Sequence, residues 1–170
     1  MNLKKSYWRL KYRMNPVKEL KKLGLTVGKN FDMLQGVFID LGHTKYITIG
    51  DDVTLAPRVM IITHDASTAK FMNVTKFAKT TIGNKVFIGA GSKILPDVQI
   101  GNNVIIGAGS VVTKDIPSNV VCCGNPAKII TTLDNFLRKR KKEIENSPQF
   151  PRKEISNKPR EIDRIGYVVG

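Results

Sequence analysis

Six aliphatic residues, Ile82, Ile88, Ile94, Ile100, Ile106 and Val112, follow one another at intervals of six. An α-helix repeats about every 3.6 residues and a half-buried strand about every two, so neither explains the spacing. A fixed hexapeptide period describes a parallel β-helix: each hexapeptide forms one side of a coil, and stacked coils share one core. Glycine follows four of the six, at Gly83, Gly89, Gly101 and Gly107. The register continues upstream through Val27, Met33 and Ile39, then Ile49, Leu55 and Ile61. Three hexapeptides per coil give a triangular prism whose coils rise by about 4.8 Å, the spacing of paired strands. Gly50-Asp51-Asp52, Gly83-Asn84 and Gly101-Asn102-Asn103 fall where tight corners need residues that tolerate left-handed backbone.

Two gaps break the count: ten residues from Ile39 to Ile49, and twenty-one from Ile61 to Ile82. Insertions in solenoids become loops on one face, often the binding face. The chain's two histidines lie in these two insertions, His43 four residues past Ile39 and His64 three past Ile61. Each insertion follows the last hexapeptide of a coil, so both leave the same edge of the prism. The two side chains are therefore expected within about 5–12 Å of each other. Histidine is suited to general-base work near neutral pH. His64, at the root of the loop 65–80, is the candidate base; His43 either orients substrate, assists the base or caps its own loop. Two histidines with Asp40 or Asp65 make at most a weak metal site. A catalytic zinc usually takes three protein ligands and an open position. With no third histidine and no spaced Cys/His cluster, no functional metal is expected.

At 170 residues the chain reads as one domain with appended ends. No apolar run approaches membrane-spanning length, and the lysine-rich start is unlike a signal peptide. Adjacent Cys122 and Cys123 read as free thiols of a cytoplasmic protein. The net charge of +14 is concentrated at the ends: residues 1–24 hold eight Lys/Arg and one Glu, and residues 134–170 hold ten Lys/Arg and six acids. Such ends suit an acidic partner. Residues 1–24, with Leu3, Tyr7, Leu10 and Met14 at helical spacing, read as a basic helical cap over the first coil. The alternative is a segment resting on an anionic membrane with Trp8 as anchor, placing the protein at the inner membrane face. The β-helix occupies 25–130. Residues 131–170 supply a helix over about 132–146, with Leu133, Phe136 and Leu137 on one face, and a charged tail that is extended or mobile.

From Ile49 to Ile130 the chain closely resembles the hexapeptide-repeat acyltransferases. It is most similar to their xenobiotic, sugar and capsular-polysaccharide O-acetyltransferase branch. The resemblance is carried by Ile61-Ile62-Thr63-His64-Asp65, Ile88-Gly89-Ala90-Gly91-Ser92, the run Ile106 to Pro117, and the closing Gly124-Asn125-Pro126-Ala127-Lys128. It implies an all-β fold, a left-handed parallel β-helix, which is an exception to the right-handed crossover rule. It also implies a homotrimer with acetyl-CoA between two subunits, and direct acetyl transfer with His64 as general base. Ala90 and Ala108 would line the pantetheine arm, Thr113 and Lys114 would lie near the adenosine, and Lys128 would face its phosphates. Many relatives carry arginine at the Lys128 position, and lysine lacks that bidentate fork. The asparagine that many sugar acetyltransferases present one coil before the base has no counterpart here. Asp40, His43 and Asp65 are therefore expected to contact the acceptor, a small molecule or glycan.

Two other enzyme or binding classes compete. An amine acceptor, on an amino sugar or antibiotic, would make the chain an N-acetyltransferase. A non-catalytic trimeric scaffold would use the basic ends alone. Nucleic acid is not an expected partner, because no reading module accompanies the charge. A γ-type carbonic anhydrase shares the solenoid but needs the missing third histidine.

Overall fold

A computed structural model describes residues 16–147, 149–151 and 167–169. The helical reading of residues 1–15 and the Trp8 anchor lie outside these residues. The chain divides into two compact units, residues 1–133 and 134–170.

The first unit is a left-handed parallel β-helix with three faces. Strands Thr26–Val27, Ile47–Ile49, Thr80–Ile82 and Gln99–Ile100 stack in parallel as the first face. Asp32–Met33, Thr54–Leu55, Val86–Ile88, Val104–Ile106 and Val120–Cys123 form the second, closed by antiparallel Lys128–Thr132. Phe38–Ile39, Met60–Ile61, Lys93–Ile94 and Val111–Val112 form the third. The hexapeptide residues meet in register, as in Ile39↔Ile61, Ile94↔Ile61 and Ile94↔Val112. All four of these are fully buried. Truncating one to alanine would cost about 2–5 kcal/mol, because a stacked coil has little room to collapse into the cavity.

The solenoid extends one partial coil past the last of the six spaced residues. Ile116 follows Val112 by four residues instead of six, yet bridges Ile100. Cys122 then takes the inward position under Ile106, fully buried. Both cysteines are free. At the opposite end, the helix Pro16–Lys22 sends Leu20 into the same core.

A polar ladder runs up one corner. Asp51 Oδ1 accepts from Lys29 N–H, Asn84 Oδ1 from Asp51 N–H, Asn102 Oδ1 from Asn84 N–H, and Ser118 Oγ from Asn102 N–H, at 2.6–2.9 Å. Glycines lie against this ladder. A Cβ on Gly83 would stand 2.5 Å from Asn102 Oδ1 and 2.7 Å from the Gly101 carbonyl oxygen. Only a residue without a side chain fits there.

The helix Leu133–Glu145 begins at the boundary between the units and is followed by Gln149–Pro151, which pairs in parallel with Tyr167–Val169. The tail thus contains a strand pair that its polar composition did not announce. Among the described residues, no helix is long and apolar enough to cross a membrane.

Candidate active site

Asp40 and His64 are placed by the third face. Asp40 directly follows Ile39, and its N–H donates to the Ile61 carbonyl at 3.2 Å. Three residues past Ile61 stands His64. A short 3-10 segment, Leu41–Tyr46, turns the chain so that His43 comes back over Asp40. Two bonds fix this segment: His43 N–H donates to the Asp40 carbonyl at 3.1 Å, and the buried Thr44 hydroxyl donates to the Leu23 carbonyl.

The long insertion is not an open loop. His64–Asp65 pairs antiparallel with Lys76–Phe77, with the short helix Ala69–Met72 at the hairpin's far end. The pairing His64↔Phe77 sets the phenyl ring beside both imidazoles, with centroids 4.7 Å from His43 and 6.1 Å from His64. The imidazole centroids themselves are 5.3 Å apart, at the near end of the range expected from coil spacing.

Asp40 lies at the centre. Its Oδ2 is 2.5 Å from His64 Nδ1 and 3.0 Å from the Thr63 hydroxyl that donates to it, and its Oδ1 is 3.3 Å from His43 Nδ1. Burial of the carboxyl works to raise its pKa. The hydrogen bonds from His64, Thr63 and His43 outweigh that, and hold it below the ordinary carboxylate range. An ionised carboxylate can only accept, so His64 Nδ1 carries the proton of their bond, and in the neutral ring the lone pair is then on Nε2. The Asp40 side chain is 7 % exposed and that of His64 39 %. The carboxylate is therefore shielded while the ring edge reaches solvent. Asp40, expected to contact the acceptor, is buried behind the two histidines with its carboxylate bonded to them and to Thr63.

Asp65 is engaged elsewhere. Its Oδ1 accepts from Ser67 N–H at 2.8 Å, shaping the hairpin's first turn, and the Ser67 contacts hold its carboxyl below the ordinary range. The sequence places Phe77 only in a loop suited to closing over a polar acceptor, and Thr63 only in the segment Ile61 to Asp65; their positions beside the two imidazoles and behind Asp40 come from the fold. The Thr63 hydroxyl is fully buried next to the histidine and needs a partner, and Asp40 is that partner.

The remaining expected residues occupy two edges of the prism. Thr113 and Lys114 follow Val112 on the third face, so they share the edge of His64. Ala90 and Ala108 lie between the second and third faces, and Lys128 pairs with Cys123 at the end of the second. All five are exposed. Ala90 borders a hollow of about 540 Å³, lined also by Gln35, Gly36, Pro57, Arg58 and Gly91. A Cβ on Gly91 or Gly109 would meet nothing within 4 Å, so this edge is open. A single chain thus holds the histidine cluster and the alanine corner on different edges.

Residues 79–114 match the family model "Bacterial transferase hexapeptide (six repeats)". Protein CapG of Staphylococcus aureus is 42 % identical over 142 residues, spanning 81 % of this chain and 83 % of that protein. A maltose O-acetyltransferase from Clostridium difficile superposes with a TM-score of 0.59 at 32 % identity, covering 75 % of this chain and 85 % of the other. A hexapeptide-repeat-containing acetyltransferase of Vibrio cholerae, solved with acetyl coenzyme A, gives 0.59 at 27 % identity, covering 65 % of this chain and 61 % of the other. Period, prism and corner chemistry agree with these likenesses, and the chain belongs to the hexapeptide-repeat acyltransferases.

Proposed function

We propose that this acyltransferase moves the acetyl group of acetyl-CoA directly to a sugar hydroxyl in surface-polysaccharide assembly, with His64 as general base. The observation that carries the reading is the 2.5 Å approach of Asp40 Oδ2 to His64 Nδ1, which leaves Nε2 as the basic atom. His64 Nε2 takes the acceptor hydroxyl's proton as the oxygen attacks the thioester carbonyl. The C–S bond then breaks, and the imidazolium returns the proton to the departing sulfur. Asp40 stabilises the imidazolium formed between these steps. No acyl-enzyme is needed, and Cys122 is no nucleophile: burial, and secondarily Cys123, push its thiol up to about 11.

The donor fits the open edge. Ala90 and Ala108, beside the unobstructed Gly91 and Gly109, let a narrow pantetheine arm approach the backbone. Arg58 in the same hollow, and Lys128, supply positive charge. That edge is not His64's, so the working site forms where the open edge of one copy meets the histidine edge of the next; a homotrimer satisfies this with closed symmetry. The similarity to a maltose O-acetyltransferase favours a sugar acceptor. His43 and Phe77 are partly exposed beside His64, which supports assigning them the contact with the acceptor.

The test is acetyl transfer from acetyl-CoA to a sugar panel, read as thiol release and as acetylated product. Replacing His64 by alanine should lower the rate by about 10²–10⁴-fold, the usual contribution of a positioned base. Alkali-labile product identifies an ester, whereas alkali-stable product would move the assignment to an amine. A His64→Ala protein as active as wild type would remove the proposed base.

A further inference from the structure

We propose that Asp40, His43 and His64 also form a binding site for a divalent transition-metal ion, zinc foremost, and that the bound ion switches the base off. One ligand atom from each of the three residues lies within 4.8 Å of the others. The sequence offers two histidines with either Asp40 or Asp65 as at most a weak site; the fold brings in Asp40, whose carboxylate supplies the third ligand. Two imidazole nitrogens with one carboxylate suit zinc and its neighbours, and leave the fourth tetrahedral position to solvent.

The three ligand atoms, within 4.8 Å of one another, must draw closer around an ion. With zinc bonds of about 2.0–2.1 Å and tetrahedral angles, neighbouring ligand atoms stand about 3.3 Å apart. The His43 Nδ1 to Asp40 Oδ1 separation is already 3.3 Å. His64 Nδ1 lies 2.5 Å from the other oxygen, Oδ2, so the carboxylate or the partly exposed His64 ring must rotate to bring one oxygen and both nitrogens around the ion. Thr63, donating to Asp40 Oδ2 at 3.0 Å, holds the carboxylate from behind as an outer-shell partner does in metal sites. Phe77 covers one side of both rings and limits their escape.

The consequence for the base follows from the tautomer. Without metal, His64 holds its ring proton on Nδ1 for Asp40, and Nε2 is free to accept. A metal ion needs the Nδ1 lone pair, so the proton moves to Nε2. His64 then carries the same number of protons, but its outward nitrogen can no longer take one from a hydroxyl. This inhibition rests on the reading of His64 as base; the metal site does not.

Isothermal titration of zinc chloride into the intact, chelator-washed protein tests both parts. Wild type should bind one ion per chain saturably, and Asp40→Asn and His43→Gln should each weaken binding by at least about tenfold. If Asp40→Asn fails to fold, His43→Gln decides alone, because it alters a partly exposed ring. Zinc should slow acetyl transfer with the half-saturation seen in the titration, and a chelator should restore the rate. Absent stoichiometric binding, or binding unchanged in the folded variants, as at Cys123, overturns the site. Zinc binding at the site with full transfer activity overturns the switch. If no transfer is seen even without zinc, the proposed function fails, while the titration still decides the site.

Discussion

Replacing Asp40 by asparagine keeps the shape of the side chain and removes its charge. The base should then lose the group that stabilises it once protonated. Opposite unit charges about 4 Å apart interact by about 4 kcal/mol at an effective dielectric of about 20. Solvent reaches His64, whose side chain is 39 % exposed, so the interaction is smaller, about 2–3 kcal/mol. At about 1.4 kcal/mol per decade this lowers kcat by about 30- to 150-fold. The loss is a minimum, because the new amide can donate to Nδ1 and so favour the proton on Nε2. KM for acetyl-CoA should stay close to wild type, since Asp40 is buried and its carboxylate hydrogen-bonds His43, Thr63 and His64. Steady-state kinetics on protein shown to be folded by circular dichroism give the answer. A kcat within threefold of wild type in the folded variant would refute the argument that Asp40 acts through His64.

Two stability predictions follow from the corners and the core. Gly83→Ala places a Cβ 2.5–2.8 Å from Asn102 Oδ1 and the Gly101 backbone, none of which can retreat without breaking the ladder. It should cost about 2–4 kcal/mol, whereas Gly91→Ala, at φ +71 with open space around it, should cost only the left-handed backbone penalty of about 1–2 kcal/mol. Thermal melts that rank the two equally would contradict this. At alkaline pH, the Cys122 thiol ionises near its ordinary 9.0 when unfolded but only near about 11 when buried. The resulting stabilisation is complete below pH 9 and is lost as pH rises toward 11, a change of about 2–3 kcal/mol. Urea midpoints of Cys122→Ala should therefore fall less steeply over that range than those of wild type; parallel slopes would show that the thiol is not responsible.

Legibility followed periodicity. Where the hexapeptide register is regular, Ile82 to Val112 and its upstream continuation, the sequence alone placed the inward residues. Ile116 and Cys122 escaped because a four-residue step broke the count, although the backbone absorbs it and Ile116 still bridges Ile100. The nearness of His43 and His64 could be read from coil arithmetic, since strand spacing bounds it. The part played by Asp40 could not. That depends on the 3-10 turn at Leu41–Tyr46, whose local geometry no repeat dictates. For the same reason the hairpin at His64–Phe77 looked like a plain loop: its two strands are only two residues each, too short for alternation to show.

The third face has a further implication. Asp40 and His64 are twenty-four positions apart in sequence, yet each sits within three residues of a strand whose partner carries the other, joined by the Asp40 N–H to Ile61 carbonyl bond. The backbone rung is thus the ruler that sets their separation. Gentle heating or a distant substitution cannot stretch that ruler by degrees; it holds its length until the two rungs part. Loss of activity on warming should therefore be abrupt, coinciding with the unzipping of those two coils, even if coils elsewhere fray earlier.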